Sequence, residues 1–249
     1  MATATMPRSI APSAGRRTDN YFFSGMALLL LATVVIGFAR TYFLAGVFRA
    51  PLPSVLVHIH GALFSCWILL LITQVSLVST KRVDVHRKLG LAGFVLAASM
   101  VIVGVLTATA LLARNSSPVP VFDPQTFYVI PMSDIVIFTV LIFFAYFYRS
   151  NPAMHKRLIL IATIALMDAP TGRPPFAVIT HRKYFDSIFC MAFLLLLVGY
   201  DLWSTRKVHR ATIWGGLLMI IVQQARVPIG MSGAWHGFAA WAQNVARSV

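Results

Sequence analysis

Residues 89–113 read LGLAGFVLAASMVIVGVLTATALLA, 25 positions without a charged side chain, entered through the stretch Lys81-Arg-Val-Asp-Val-His-Arg-Lys88 and left at Arg114. The hydrocarbon core of a bilayer is about 30 Å thick and takes about 20 helical residues. This run therefore predicts a membrane crossing. Six further apolar stretches of similar length flank it: Tyr21–Leu44, Val55–Val78, Tyr128–Tyr148, Pro152–Ala169, Ser187–Trp203 and Ala211 to about Gly230. One of them is irregular, because Asp168-Ala169-Pro170 and the following Thr171-Gly172-Arg173-Pro174-Pro175 cannot continue a regular helix. The expected fold class is all-α, a seven-transmembrane helical bundle.

Composition agrees. Of 249 residues 58% are apolar and 11% charged, with a mean hydropathy of +0.78, where a water-soluble domain carries about 25% charged residues. The net charge of +14 would suit a nucleic-acid binder if the cations formed one surface. They lie instead in short clusters between apolar runs, the pattern that orients a membrane protein, so no nucleic-acid partner is expected. Loops rich in Lys and Arg stay in the cytoplasm. Thirteen of the 21 cations fall in the tail (Arg8, Arg16, Arg17), loop 2/3 (Lys81, Arg82, Arg87, Lys88), loop 4/5 (Arg149, Lys156, Arg157) and loop 6/7 (Arg206, Lys207, Arg210). The N-terminus is accordingly expected inside and the C-terminus outside, in an inner membrane. Residues 1–20 read as a flexible cytoplasmic tail, 21–230 as the seven-helix domain and 231–249 as an outer interfacial segment. In that segment Trp235, Phe238 and Trp241 suit the headgroup level. The first span is too long for the apolar core of a signal peptide and has no cleavage motif in place.

Alternate helices begin alike, with a histidine followed at once by a cation: His86-Arg87-Lys88, His155-Lys156-Arg157 and His209-Arg210. Asp84, Asn151 before Pro152, and Ser204 or Thr205 are the expected helix caps. Cations in a first turn oppose the helix dipole, so an anion should offset them: anionic lipid headgroups, or a phosphate, carboxylate or cofactor propionate held at converging helix ends.

Polar groups that are costly in lipid collect at the opposite side. Helix 2 enters with His58-Ile-His60-Gly61, followed by Ser65 and Cys66. Helix 4 carries Met132 and Asp134 near its outer end, helix 5 stops at Asp168, His181 precedes helix 6, and helix 7 brings Gln223, Gln224 and Arg226 ahead of His236. Ionisable groups at membrane depth are functional candidates by default, which selects Asp134 and Asp168, with Arg173 and Arg226 as counter-charges. The plainer reading is an ion-paired cluster that locks helices together. His58 and His60 point about 200° apart on a helix; His60 is preferred as a ligand because Phe64, Trp67, Leu71 and Gln74 continue its face. Haem b needs two axial nitrogens, apolar walls and cations for its propionates, and His60 with His236 or His181 could supply the first. A copper or zinc site from His58, His60, His181 and His236, with Met132 or Met231, is chemically reasonable too. All seven acids are aspartate, which excludes motifs that need glutamate. Phosphate loop, dinucleotide fingerprint, nucleophile elbow and CxxC are lacking. A zinc hydrolase built from Ser65, Asp134, Asp168 and His236 would ordinarily carry paired histidines in its last helix. The two cysteines lie inside spans and read as apolar filler.

Three stretches together, Leu56-Val-His58-Ile-His60-Gly61-Ala-Leu-Phe64, Val85-His86-Arg87-Lys-Leu-Gly90 and His155-Lys156-Arg157-Leu-Ile-Leu-Ile-Ala-Thr163, resemble a group of uncharacterised bacterial polytopic membrane proteins. A looser similarity extends to b561-like cytochromes and cytochrome-oxidase assembly factors, which implies haem or copper by analogy. The expectation drawn from all this is a haem- or metal-binding protein in membrane electron transfer or respiratory-complex assembly. His60 and His236 would be ligands, Asp134 and Asp168 proton-handling or supporting groups, and Arg173 a clamp for an anion, and a membrane-protein partner is expected. A proton-coupled transporter using Asp134 or Asp168, and a structural subunit, stand as the alternatives.

Overall fold

In the computed structural model the described residues are 14–50, 53–119, 121–173, 175–176, 178 and 187–248. They form helices and connecting loops, with no strand among them. The helices are α1 (Ala14–Phe38, continued by a π-helical turn Ala39–Phe43), α2 (Val55–Ser79), α3 (Val83–Ala113), α4 (Pro124–Phe147), α5 (Pro152–Ala165), the single turn α6 (Asp168–Thr171), α7 (Ile188–Thr205), α8 (Arg210–Gly230) and α9 (Gly233–Ser248). Six of these, α1 to α4 with α7 and α8, are long and apolar enough to cross a membrane. The remaining expected crossing, α5, has 14 helical residues and breaks at Leu166-Met167 before α6. It is the most enclosed element: Leu158, Leu160, Ile161, Ala162, Ile164 and Ala165 are all buried.

Leu28, Leu69, Val95, Ile102, Phe143, Leu195 and Ile221 are exposed, one or more on each of the six long helices. In water such a surface would aggregate; against acyl chains it is the natural boundary. Packing inside relies on small residues, which let helices approach where lipid supplies no hydrophobic drive between them. Gly215 faces Ile161 and Leu141, and Gly216 faces Leu194. The tightest approach is Gly37 of α1, where an added Cβ would lie 2.3 Å from the Pro170 carbonyl oxygen of α6. Because that neighbour is backbone, it cannot rotate away. Gly37→Val is expected to lose about 1–3 kcal/mol of stability or more, read as a lower unfolding midpoint in detergent, while the same change at Gly25, which faces open space, leaves the midpoint in place.

Side-chain caps set the starts of α4, α5 and α8. Asp123 caps α4, its carboxylate accepting from the Gln125 and Thr126 amides at 2.9 and 3.0 Å. Burial opposes its charge, but these bonds and the Thr126 hydroxyl outweigh it and hold the carboxyl below the usual range. Asn151 caps α5 as expected, with Pro152 at the first helical position. Two starts differ from expectation. α8 is capped by His209, whose Nδ1 accepts from the Ala211 amide at 3.1 Å, because the Thr205 hydroxyl is already committed to the Asp201 and Lys207 carbonyls. Asp84 lies inside the first turn of α3, not at its cap. Helix α1 also begins at Ala14, ahead of its apolar run. Asp19, in that extra stretch, bonds Lys156 at 2.6 Å and accepts from the Tyr200 hydroxyl. At the far end of the chain α9 lies against α3 and α4: Gln243 Nε2 and Arg247 Nε donate to the Leu112 and Ala113 carbonyls, satisfying the last turn of α3, and the Trp235 indole donates to Gln125.

Candidate functional site

Two ionic clusters lie inside the bundle. In the first, the Arg226 guanidinium of α8, 1% exposed, reaches Asp134 of α4 at 3.0 Å and Asp168 of α6 at 2.8 Å. It also donates to the Ser187 hydroxyl at 2.9 Å. Asp168 further accepts from Gln223 Nε2 (3.1 Å) and the Cys190 thiol (3.0 Å). The second joins Arg157 of α5 to Asp201 of α7 through two nitrogens at 2.6 and 2.9 Å; Asp201 also accepts from the His209 amide and the Thr212 hydroxyl. Arg157 is 3% exposed, so it is turned inward and not toward headgroups. Sequence reasoning missed Asp201, although a carboxylate in an apolar run was the available signal.

The two clusters share a register. Arg157 and Asp168, Cys190 and Asp201, and Thr212 and Gln223 are each eleven residues apart, which is about three helical turns and about 16 Å. On α7 and on α8 each pair therefore returns to one face of its helix, while Arg157 and Asp168 lie on either side of the break between α5 and α6. α5 with α6, α7 and α8 traverse the same depth, tied at both ends.

The sequence-predicted residues divide among several places. Of the three His-cation starts, two meet: the His86 and His155 rings are 6.4 Å apart, centroid to centroid, with planes at 87°. They border a cavity of about 680 Å³ between α2, α3, α4 and α5, walled by Trp67, Leu71 and Phe94, with Gln74 inside and Arg87 and Arg149 at its edge. His155 Nδ1 lies 2.9 Å from the Ala145 carbonyl; since a carbonyl only accepts, that nitrogen carries the proton and a neutral ring keeps its lone pair on Nε2. His86 sits against the Gln74 main chain, and its Nδ1 is buried without a partner, as is Gln74 Oε1. The third start is elsewhere, His209 capping α8. Lys156 lies over the Phe23 ring beside Asp19, and Lys88 and Arg210 are exposed.

On the opposite side the expected histidines do not gather. His58 Nδ1 bonds the Tyr42 hydroxyl at 3.0 Å, and His236 Nε2 bonds the Thr126 hydroxyl at 3.1 Å. His181 lies outside the described residues. His60 stacks on Phe64 at 4.1 Å and borders a second cavity, of about 290 Å³, together with Arg173. Asp134 and Asp168 line neither cavity, so Arg226 is their counter-charge and Arg173 is separate from them. No group of three metal-ligating side chains occurs among the described residues. Cys66 is exposed and Cys190 buried, both as free thiols.

Fold and surface define a multi-pass, all-helical protein with six helices fit to cross a membrane. No protein-family model matches the chain, and no curated protein or solved structure matches it.

Proposed function

We propose that the protein resides in an inner membrane with seven crossings, its N-terminus inside and its C-terminus outside, and binds a haem or metal ion through histidine, in membrane electron transfer or respiratory-complex assembly. The clustering of thirteen cations on alternate connections supports the orientation. The shared eleven-residue register supports counting α5 with α6 as a crossing. A single observation carries the binding reading: His86 and His155 lie 6.4 Å apart beside a cavity of about 680 Å³, His155 with Nδ1 on the Ala145 carbonyl and Nε2 spare, His86 with a buried Nδ1 that has no hydrogen-bond partner.

That arrangement is what a metal selects. A ligating imidazole almost always gives its other N–H to a carbonyl or carboxylate, which fixes the tautomer. His86 and His155 would hold the metal through their remaining ring nitrogens. The cavity walls are apolar and Arg87 and Arg149 stand at its edge, which suits the porphyrin and its propionates. The ligands read from sequence, His60 and His236, bond or stack on different partners, so the pair moves to the other end of the bundle. A bound haem would supply one-electron chemistry; a copper ion held by the same two rings is the alternative. Asp134 and Asp168 are occupied with Arg226, which supports reading them as a helix lock.

Purified protein is expected to show a Soret band or one metal ion per chain, lost in His155→Ala and in His86→Ala and retained in His236→Ala. Preparations free of both haem and stoichiometric metal overturn the reading.

A further inference from the structure

The second cavity stands on its own observations. It lies between α1, α2, the outer end of α3 and α6, and Trp67 is at its floor. Trp67 also lines the larger cavity. Its indole N–H donates to Thr163 at 3.1 Å and its ring meets the edge of Phe138 at 5.3 Å, so the partition between the cavities is held from two sides. Above it the walls are Phe38, Phe64, Ile68 and Met167.

Charge in this cavity is of one sign. Arg173 and Arg114 line it as cations, His60 adds a ring nitrogen, and no aspartate lines it among the described residues. The Arg173 guanidinium lies flat over Phe38 at 4.3 Å and gives one N–H to the Ala169 carbonyl. No carboxylate among the described residues takes its other donors, and arginine has five. His60 Nδ1 is buried without a hydrogen-bond partner. Among the described residues, the buried Arg157 and Arg226 are each neutralised by aspartate. Cationic donors beside an apolar chamber are complementary to a molecule with an anionic head and an apolar body.

We infer that this cavity is a binding site for an amphipathic monocarboxylate, its head on Arg173 and His60 and its body lying against Phe64 and Ile68 above Trp67. Guanidinium matches a carboxylate with two parallel N–H donors, and about 290 Å³ limits the body to a short chain or a single ring. Tyr42 helps close the rim: its ring packs 3.3 Å from where a Cβ on Gly61 would stand, and its hydroxyl bonds His58.

The test is equilibrium binding of radiolabelled octanoate to the full chain in phosphatidylcholine nanodiscs. One saturable site per chain is expected, weakened at least about tenfold in Arg173→Gln, retained in part in Arg173→Lys, and unchanged in Lys207→Gln. Ser65→Leu, which fills the chamber without touching a charge, should abolish binding while the unfolding midpoint holds, separating occlusion from misfolding. Octanol is expected to bind far more weakly. Absence of saturable binding, equal affinity for octanol, or indifference to both Arg173→Gln and Ser65→Leu overturns the proposal. So does displacement of octanoate when phosphatidylglycerol replaces phosphatidylcholine, since the cations would then serve lipid headgroups. Because Trp67 divides the cavities, octanoate binding does not depend on a Soret band, and failure of one reading leaves the other standing.

Discussion

Arg226→Met is expected to cost about 3–5 kcal/mol of stability, the range for stripping a buried charge cluster of one partner. Methionine fills much of the arginine volume, so the loss reports charge. It leaves Asp134 and Asp168 facing each other without the cation that bridges them at 3.0 and 2.8 Å. Asp168→Asn should be milder: Arg226 keeps Asp134, and the amide oxygen can still accept from Gln223 or Cys190. Combining Arg226→Met with Asp134→Asn and Asp168→Asn should recover much of the loss, since neither carboxylate that Arg226 bridges is then ionised. Cys190 is a built-in reporter. Its thiol is buried while Cys66 is exposed, so in a Cys66→Ser background the labelling rate of Cys190 during denaturant titration follows opening of this cluster. A triad that only decorates the interior would show equal midpoints for Arg226→Met and Asp168→Asn.

Asp201→Ala is the second large effect, also about 3–5 kcal/mol. It strands Arg157, buried with two nitrogens on Asp201 Oδ1, and removes the acceptor for the His209 amide and the Thr212 hydroxyl at the start of α8. The damage should appear as loosening of α7 and α8 at that end, measured by hydrogen exchange of the Thr212 region. The pair Arg157→Met with Asp201→Leu should be closer to the parent than either single change; additive losses would show that the two residues do not act as a unit.

Much of this site was visible in the sequence as composition but not as pairing. Asp134, Asp168, Gln223 and Arg226 stood out because each is expensive in hydrocarbon. Which cation serves which carboxylate was not readable: Arg173 and Arg226 were equal candidates until packing put Arg226 between the two aspartates and Arg173 over Phe38. Arg157 followed a histidine and a lysine at a helix mouth and so read as one more juxtamembrane cation. Its inward direction depends on the rotation of α5 and on α7 presenting Asp201 beside it. The Asn151 cap, formed by a side chain acting over three residues, was legible. The His209 cap was not, because the competing Thr205 was claimed by a carbonyl one turn back in its own helix.

The meeting of His86 and His155 shows the same division. Both sit within the start of their helices and are followed by two cations, whereas His209 is followed by one and precedes α8 as its cap. His60 lines a cavity, and the partner chosen for it from sequence, His236, is bonded to Thr126 on α4.

The amino-acid sequence by itself determined the class: a helical chain whose apolar runs match the thickness of a bilayer, because hydropathy and run length are properties of contiguous residues. Only the tertiary structure decided which charges neutralise one another, which histidines meet and where the cavities lie. Those are contacts between helices, fixed by rotation about each axis and by close approach at residues such as Gly37 and Gly215, and neither follows from the order of residues within a single helix.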